Sequence, residues 1–276
     1  MPEKLKISLG EVQKTLLLPL WGRALETKSQ NPLIRDPMAC EIVGRLDFDF
    51  DDMTRRVPMQ LRINSAIRAF HFDAALRQFI AECPDATVVN IGAGLDTTFF
   101  RVDNGKIFWY DLDLPDTMAL RRGLIPEGER NRCIVKSVFD RAWFNDVAVR
   151  RSKVFFMAAG VFFYLKEDDI RRLFLDLIDE FPGSQIMFEA YSKFMLRIRN
   201  RTIKKQRDAS PFLAAAQWAA GSSAPIAKWS PRIKVIDDFP YYSRVDMARH
   251  WDKKLLFPLR VIHFLNGVRM VRLGLG

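Results

Sequence analysis

The amino-acid sequence predicts an α/β protein built on a mostly parallel sheet, with a helical segment ahead of the sheet and an insertion late in the chain. Two observations predict it. Five apolar, β-branched or aromatic runs recur through the middle of the chain: TVVNIGAG (87–94), KIFWYDLD (106–113), CIVKSV (133–138), KVFFMAAGV (153–161) and SQIMFEAYS (184–192). They are nearly continuous rather than alternating, as in strands covered on both faces. The segments between them carry helix signals, clearest in KEDDIRRLFLDLIDEFPG (166–183). It has acids in its first turn, then Ile170, Leu173, Phe174, Leu177 and Ile178 at helical spacing, then a Pro-Gly stop. Alternating strand and helix is the pattern of a parallel sheet.

In chain order, residues 1–83 contain no comparable strand run and read as helices capping the sheet, interrupted by a proline-punctuated loop at NPLIRDPMA (31–39). ALRQFIAEC (75–83) has helical spacing, and Pro84-Asp85 ends it before the first strand. Residues 84–192 hold the five strands. Residues 193–232 are polar and basic and interrupt the strand rhythm; an insertion there, near a sheet edge, is read as a lid. Residues 233–276 complete the sheet. Within them, LRVIHFLNGVRMVRLGLG fits either a hairpin turning at Asn266-Gly267 or a helix that ends at that glycine before one strand. The whole reads as a single domain.

Composition narrows the function classes. A chain of 276 residues with 49% hydrophobic content can bury a large core. Its longest mostly apolar run, VFFMAAGVFFYL (154–165), is shorter than the roughly 20 residues a membrane span needs. The first residues lack the apolar core of a secretory signal, so a cytoplasmic protein is expected. Cys40, Cys83 and Cys133 show no CxxC spacing, and His71, His250 and His263 form no i, i+4 pair, so no metal site is expected. A net charge of +10 draws anions, whether nucleic acid, lipid headgroups or a carboxylate-bearing small molecule. Lys193, Arg197, Arg199, Arg201, Lys204, Lys205 and Arg207 concentrate that charge, although the plain reading of such a run is a solvated helix face.

The first strand run ends in a glycine turn, Gly92-Ala93-Gly94, where backbone can approach a ligand closely. A dinucleotide fingerprint would place a third glycine where this chain has Thr97, which argues against a nicotinamide dehydrogenase. Asp96 in the turn is a poor neighbour for a pyrophosphate and a good one for a cationic ligand carrying an ammonium and a sulfonium. Asp111 and Asp113, about 20 residues on, stand where an acid can accept both hydroxyl protons of a ribose, and either can instead cap the helix that Pro115 begins. Asp140, after the third run, is placed to accept from an adenine amino group.

The stretches VVNIGAGLDTTFFRV, WYDLDLP, SVFDRAW and AAGVFFYLKEDDIRRLF, in this order and spacing, resemble the leucine carboxyl methyltransferase family, including its polyketide O-methyltransferase branch. The resemblance implies a class I S-adenosylmethionine-dependent methyltransferase with a Rossmann-like, seven-stranded, mostly parallel sheet whose last strand is antiparallel. It implies that Arg68 grips the carboxylate of the cofactor's methionine moiety, that Gly92 and Gly94 form the cofactor turn, that Asp113 with Asp111 adjacent binds ribose, and that Asp140 lies beside adenine. One departure is visible: the family often has an acid before the glycine of its fourth-strand motif, and here Ala159 precedes Gly160.

Methyl transfer from a sulfonium is an in-line displacement and chiefly requires alignment. A carboxylate acceptor needs no general base, and the sequence offers no catalytic dyad; Tyr164 and Tyr191, at the ends of the fourth and fifth runs, are the candidates to orient an acceptor. The expected partner is an acidic small molecule. The competing readings are a nucleic-acid-binding or RNA-modifying protein, prompted by the charge, and a non-catalytic scaffold that binds the same cofactor.

Overall fold

The computed structural model describes residues 5–6, 11–148, 153–205, 215–265 and 267–276. Arg207 and Asn266 lie outside them. The main sheet has seven strands: β1 (Thr87–Ile91), β2 (Phe108–Asp113), β3 (Asn131–Val135), β4 (Val154–Ala158), β5 (Ser184–Tyr191), β6 (Ile233–Pro240) and β7 (Val268–Leu275). Their spatial order is β3-β2-β1-β4-β5-β7-β6. The first five are parallel, and β7 runs antiparallel to both neighbours. The strand order reverses between β1 and β4, and open α/β sheets bind ligands outside the carboxyl ends of strands at such a switch point.

All five residues of β1 and of β4 are buried, as expected of central strands covered twice. Alternate side chains serve two cores. Val89, Ile91, Phe156, Ala158, Ile186 and Phe188 pack on one face with Ile170, Leu173, Phe174, Leu177 and Ile178. Those last five come from the helix Glu167–Glu180, which is therefore bound by its apolar stripe. At roughly 2 kcal/mol for each buried aliphatic or aromatic side chain, the stripe contributes on the order of 10 kcal/mol. On the other face Val88, Trp109, Phe155, Met157 and Met187 meet Ile63, Ile67, Phe72, Leu76 and Phe79 of the helix Met59–Glu82, together with Leu256 and Leu259 of the helix Lys253–Phe264.

Among the described residues before β1 are four helices: α1 (Glu11–Thr27), α2 (Pro37–Arg45), α3 (Phe50–Arg56) and α4 (Met59–Glu82). Two-residue strands Leu5–Lys6 and Leu46–Asp47 pair with each other, apart from the main sheet. Pro37 opens α2 instead of lying in a loop, because Asp36 caps that helix by accepting from Ala39 N–H at 3.0 Å. Two strand limits also differ from the sequence pattern. β3 begins at Asn131 and ends at Val135, since Asn131 and Arg132 pair with Trp109 and Tyr110 despite being polar. β4 stops at Ala158, and the chain then turns at Gly160, whose φ is +74°. The C-terminal ambiguity resolves to helix and then strand, Lys253–Phe264 followed by β7.

Candidate active site

The turn after β1 has the left-handed backbone that its glycines permit, with φ +64° at Gly92 and +51° at Gly94. Space is as decisive as torsion. A Cβ at Gly92 would stand 2.5 Å from Cγ2 of Val161, in the turn after β4, and one at Gly94 would stand 2.9 Å from Leu16 of α1. The loop's carbonyls are held from the buried side. Arg121 donates to Gly94 O at 3.0 Å and Asp96 O at 2.8 Å, and Arg23 donates to Leu95 O at 2.9 Å. Both guanidiniums are almost wholly buried.

Thr97, where a dinucleotide fold would have glycine, does structural work. Its buried hydroxyl bonds to Asp36 at 2.5 Å, and Arg101 donates to it at 3.0 Å. Arg101 also pairs with Asp36 at 2.7 Å and grips Asp73 through two bonds of 2.9 Å, while Arg23 meets Asp36 at 2.8 Å. Burial alone would raise the Asp36 carboxyl, but Arg23, Arg101 and the Thr97 hydroxyl outweigh it and hold the group below its ordinary value. This network ties α1, α2 and α4 to the loop after β1.

The sequence-predicted acids separate by place. Asp96 accepts from Thr98 N–H at 2.8 Å and so steadies the start of the following helix. Asp111 is fully buried, with its oxygens taken by Trp109 Nε1 at 2.9 Å, Asn90 Nδ2 at 3.0 Å and Arg121 at 2.5 Å. Burial raises its carboxyl against the pull of Arg121. Asp113, the last residue of β2, accepts from Gly94 N–H at 2.8 Å and Leu114 N–H at 2.7 Å, and burial raises its carboxyl too. Asp113 is thus joined to the glycine turn, whereas Asp111 stands behind it and supports Arg121. Asp140 lies exposed after β3 and caps its own short helix through Ala142 N–H at 3.0 Å.

A second group gathers at the ends of β4 and β5. Arg68 of α4 donates through Nε to Glu189, and Gly160 N–H donates to the other oxygen of Glu189 at 2.8 Å. Burial works against the Arg68 charge, and Glu189 beside it more than compensates, leaving its pKa raised. Tyr191 and Tyr164 flank Phe163, with ring centroids 5.1 and 4.3 Å from it. Burial raises the Tyr191 hydroxyl against Arg68 and Arg199. Arg199 comes from the basic helix Lys193–Lys205, lies 5.1 Å over the Phe163 ring and donates to Tyr164 OH at 3.3 Å. Lys193, Arg197, Arg201 and Lys204 of the same helix are exposed. The segment after it crosses this corner: Gln217 donates to Phe163 O at 2.6 Å and Tyr164 O at 2.9 Å, and Gly221 to Tyr191 O at 2.8 Å. Val161 against Gly92 joins the two groups. A shallow hollow of about 520 Å³ lined by Arg77, Ile80, Pro84, Arg101 and Asn104 opens toward the amino ends of the strands, on the far side of the Arg101 network from the glycine turn.

Residues 17–178, which carry the glycine turn on the central strand and the acid at the tip of the next, match the sequence profile of the leucine carboxyl methyltransferase family. The chain belongs to this family. The O-methyltransferase TcmP of tetracenomycin polyketide synthesis, from Streptomyces glaucescens, is 34% identical over 69% of this chain and 70% of its own length. The S-adenosyl-L-methionine-dependent methyltransferase dpfgK of Gibberella zeae is 27% identical over 68% of this chain and 69% of its own. Among solved structures, a Thermobifida fusca protein classed as a methyltransferase superposes with a TM-score of 0.59 at 17% identity, covering 86% of this chain and 92% of that one. Like its relatives, this leucine carboxyl methyltransferase family member is an S-adenosylmethionine-dependent methyltransferase.

Sequence reasoning missed Arg23, Asp36, Asp73, Arg101, Arg121 and Glu189, all of which hold the site in shape. Glu189 lies inside the run SQIMFEAYS, and an acid within an otherwise buried strand is the one available signal. Among the described residues no three or more His, Cys, Asp or Glu are arranged to hold a metal ion, and no helix is long and apolar enough to cross a membrane.

Proposed function

We propose that this methyltransferase acts on an oxygen of an acidic small molecule, a carboxylate or a hydroxyl, held between Tyr164, Tyr191 and the basic helix Lys193–Lys205. The carrying observation is Arg199, a guanidinium drawn over Phe163 and bonded to Tyr164 at the strand ends where Arg68 also lies. A cation in an aromatic wall attracts an anionic acceptor and orients it. The naming of TcmP as a polyketide-synthesis O-methyltransferase supports an oxygen acceptor on a polyketide-like acid.

Three features support a cofactor seat here: a positive-φ glycine turn at the carboxyl end of the central strand, an acid at the tip of the next strand, and a guanidinium whose outer edge lies beside Gly160. S-adenosylmethionine supplies a methyl group made electrophilic by its sulfonium. In this reading Arg68 holds the methionine carboxylate, Gly92 and Gly94 shape the turn against which the cofactor lies, Asp96 lies toward the positive end, Asp113 accepts from ribose hydroxyls, and Asp140 accepts from the adenine amino group. Asp111 acts through Arg121 instead of touching ribose. His71 is no base for the reaction: it is buried, bonded to Tyr241 O at 2.7 Å, and burial lowers its pKa to about 4. A carboxylate acceptor removes the need for one. The test is product analysis after incubation with S-adenosylmethionine and a panel of aromatic carboxylic acids, phenols and amines. Methyl esters or ethers are expected; methylated amines, or S-adenosylhomocysteine formed without a methylated acid, would refute the oxygen-acceptor reading.

A further inference from the structure

Glu189 and Arg68 form a charge pair whose two members meet solvent differently. The Glu189 side chain is 1% exposed and that of Arg68 is 20% exposed. Glu189 spends one oxygen on Arg68 Nε and the other on the N–H of Gly160. The guanidinium is therefore gripped along its inner edge, and its outer nitrogens lie against the turn after β4. A Cβ on Gly160 would fall 2.8 Å from Nη1 and 3.1 Å from Nη2. Residue 159 in that turn is alanine, so the turn itself contributes no carboxylate.

We propose that Glu189 is a positioning residue that makes Arg68 selective for a zwitterionic amino-acid headgroup. The inference rests on the cofactor reading above. A lone guanidinium would take any carboxylate. With Glu189 bonded to it the pair is neutral, and a bare carboxylate entering a largely desolvated corner would leave one uncompensated negative charge. An α-ammonium arriving with the α-carboxylate removes that excess. The pair accordingly favours a headgroup bearing both charges, and Glu189 does so while also fixing the Gly160 turn on which Arg68 rests.

The test is calorimetric titration of three ligands: S-adenosylhomocysteine, its analogue lacking the α-amino group, and 5′-methylthioadenosine, which lacks the headgroup. Glu189→Gln keeps the side chain's shape but removes its charge and sets an amide N–H₂ against a donor. It is expected to weaken S-adenosylhomocysteine by roughly tenfold or more, to leave the amine-free analogue unchanged or tighter, and to leave 5′-methylthioadenosine within about twofold. Gly160→Ala, an independent disruption from the other side of Arg68, should weaken both headgroup-bearing ligands and spare 5′-methylthioadenosine. Equal loss for all three ligands in Glu189→Gln, or no loss for S-adenosylhomocysteine, would overturn the proposal. A wild-type protein that binds none of the three overturns the cofactor reading itself, whereas one that binds S-adenosylhomocysteine and 5′-methylthioadenosine alike overturns the headgroup site alone.

Discussion

Arg121 offers the sharpest check on how the glycine turn is held. It is 1% exposed and donates to Gly94 O, Asp96 O and Asp111. Arg121→Met strands a buried carboxylate with only the neutral donors Trp109 and Asn90, and breaking a buried ion pair costs about 3–5 kcal/mol. Asp111→Asn leaves Arg121 its two carbonyls and should cost about 2 kcal/mol. The double variant buries neither charge, so its loss should fall short of the sum by about 2 kcal/mol or more. Urea unfolding of the four proteins measures this cycle. The pH dependence gives a second sign. Burial already raises the Asp111 carboxyl, and losing Arg121 raises it further. A carboxyl with a raised native pKa favours the protonated fold, so its stabilising effect fades as pH rises through that value. The Arg121→Met deficit should therefore be smaller at pH 5 than at pH 7.5. Additive losses with no pH dependence would refute the reasoning.

Gly92→Ala combines a positive φ with a Cβ 2.5 Å from Val161, so it should cost about 1–3 kcal/mol and weaken S-adenosylhomocysteine in titration; an unchanged affinity would show that the turn is not the cofactor's seat. His71 has a pKa lowered to about 4, so its contribution is present above the ordinary histidine value and is lost as pH falls from about 6.5 through 4. His71→Gln should flatten that limb of the stability curve by up to about 3 kcal/mol in denaturation at stepped pH. Neutralising Lys193, Arg197, Arg201 and Lys204 together should raise KM for an acidic acceptor severalfold while S-adenosylhomocysteine binding stays within about twofold; equal effects on both would remove this helix from substrate capture.

The elements legible in the sequence share one property: their neighbours in space are implied by their own periodicity. β1 and the helix Glu167–Glu180 are of this kind, since continuous burial and a 3.6-residue stripe each name a face. β6 is legible only as part of the closing segment, because as an outer strand it carries Lys234, Asp237 and Asp238 among its apolar residues. The acids show the same limit at finer grain. Asp111 and Asp113 are two residues apart and chemically alike, yet one lies opposite Asn90 inside the sheet and the other at the strand tip. Nothing local distinguishes them. Arg68 and Glu189 are 121 residues apart, and Arg101 meets Asp36 across 65. Such pairs exist only after the sheet brings their elements together.

The strand order has a consequence for how the chain matures. β7 lies between β5 and β6, and β6 is hydrogen-bonded into the sheet through β7. While a ribosome still shelters residues 268–275, β6 has been made but its hydrogen-bonding neighbour has not, and the outer edge of β5 stands open in the place that β7 will take. The last strand to be made is therefore an interior one, and closing the sheet means seating it between two strands that are already synthesised.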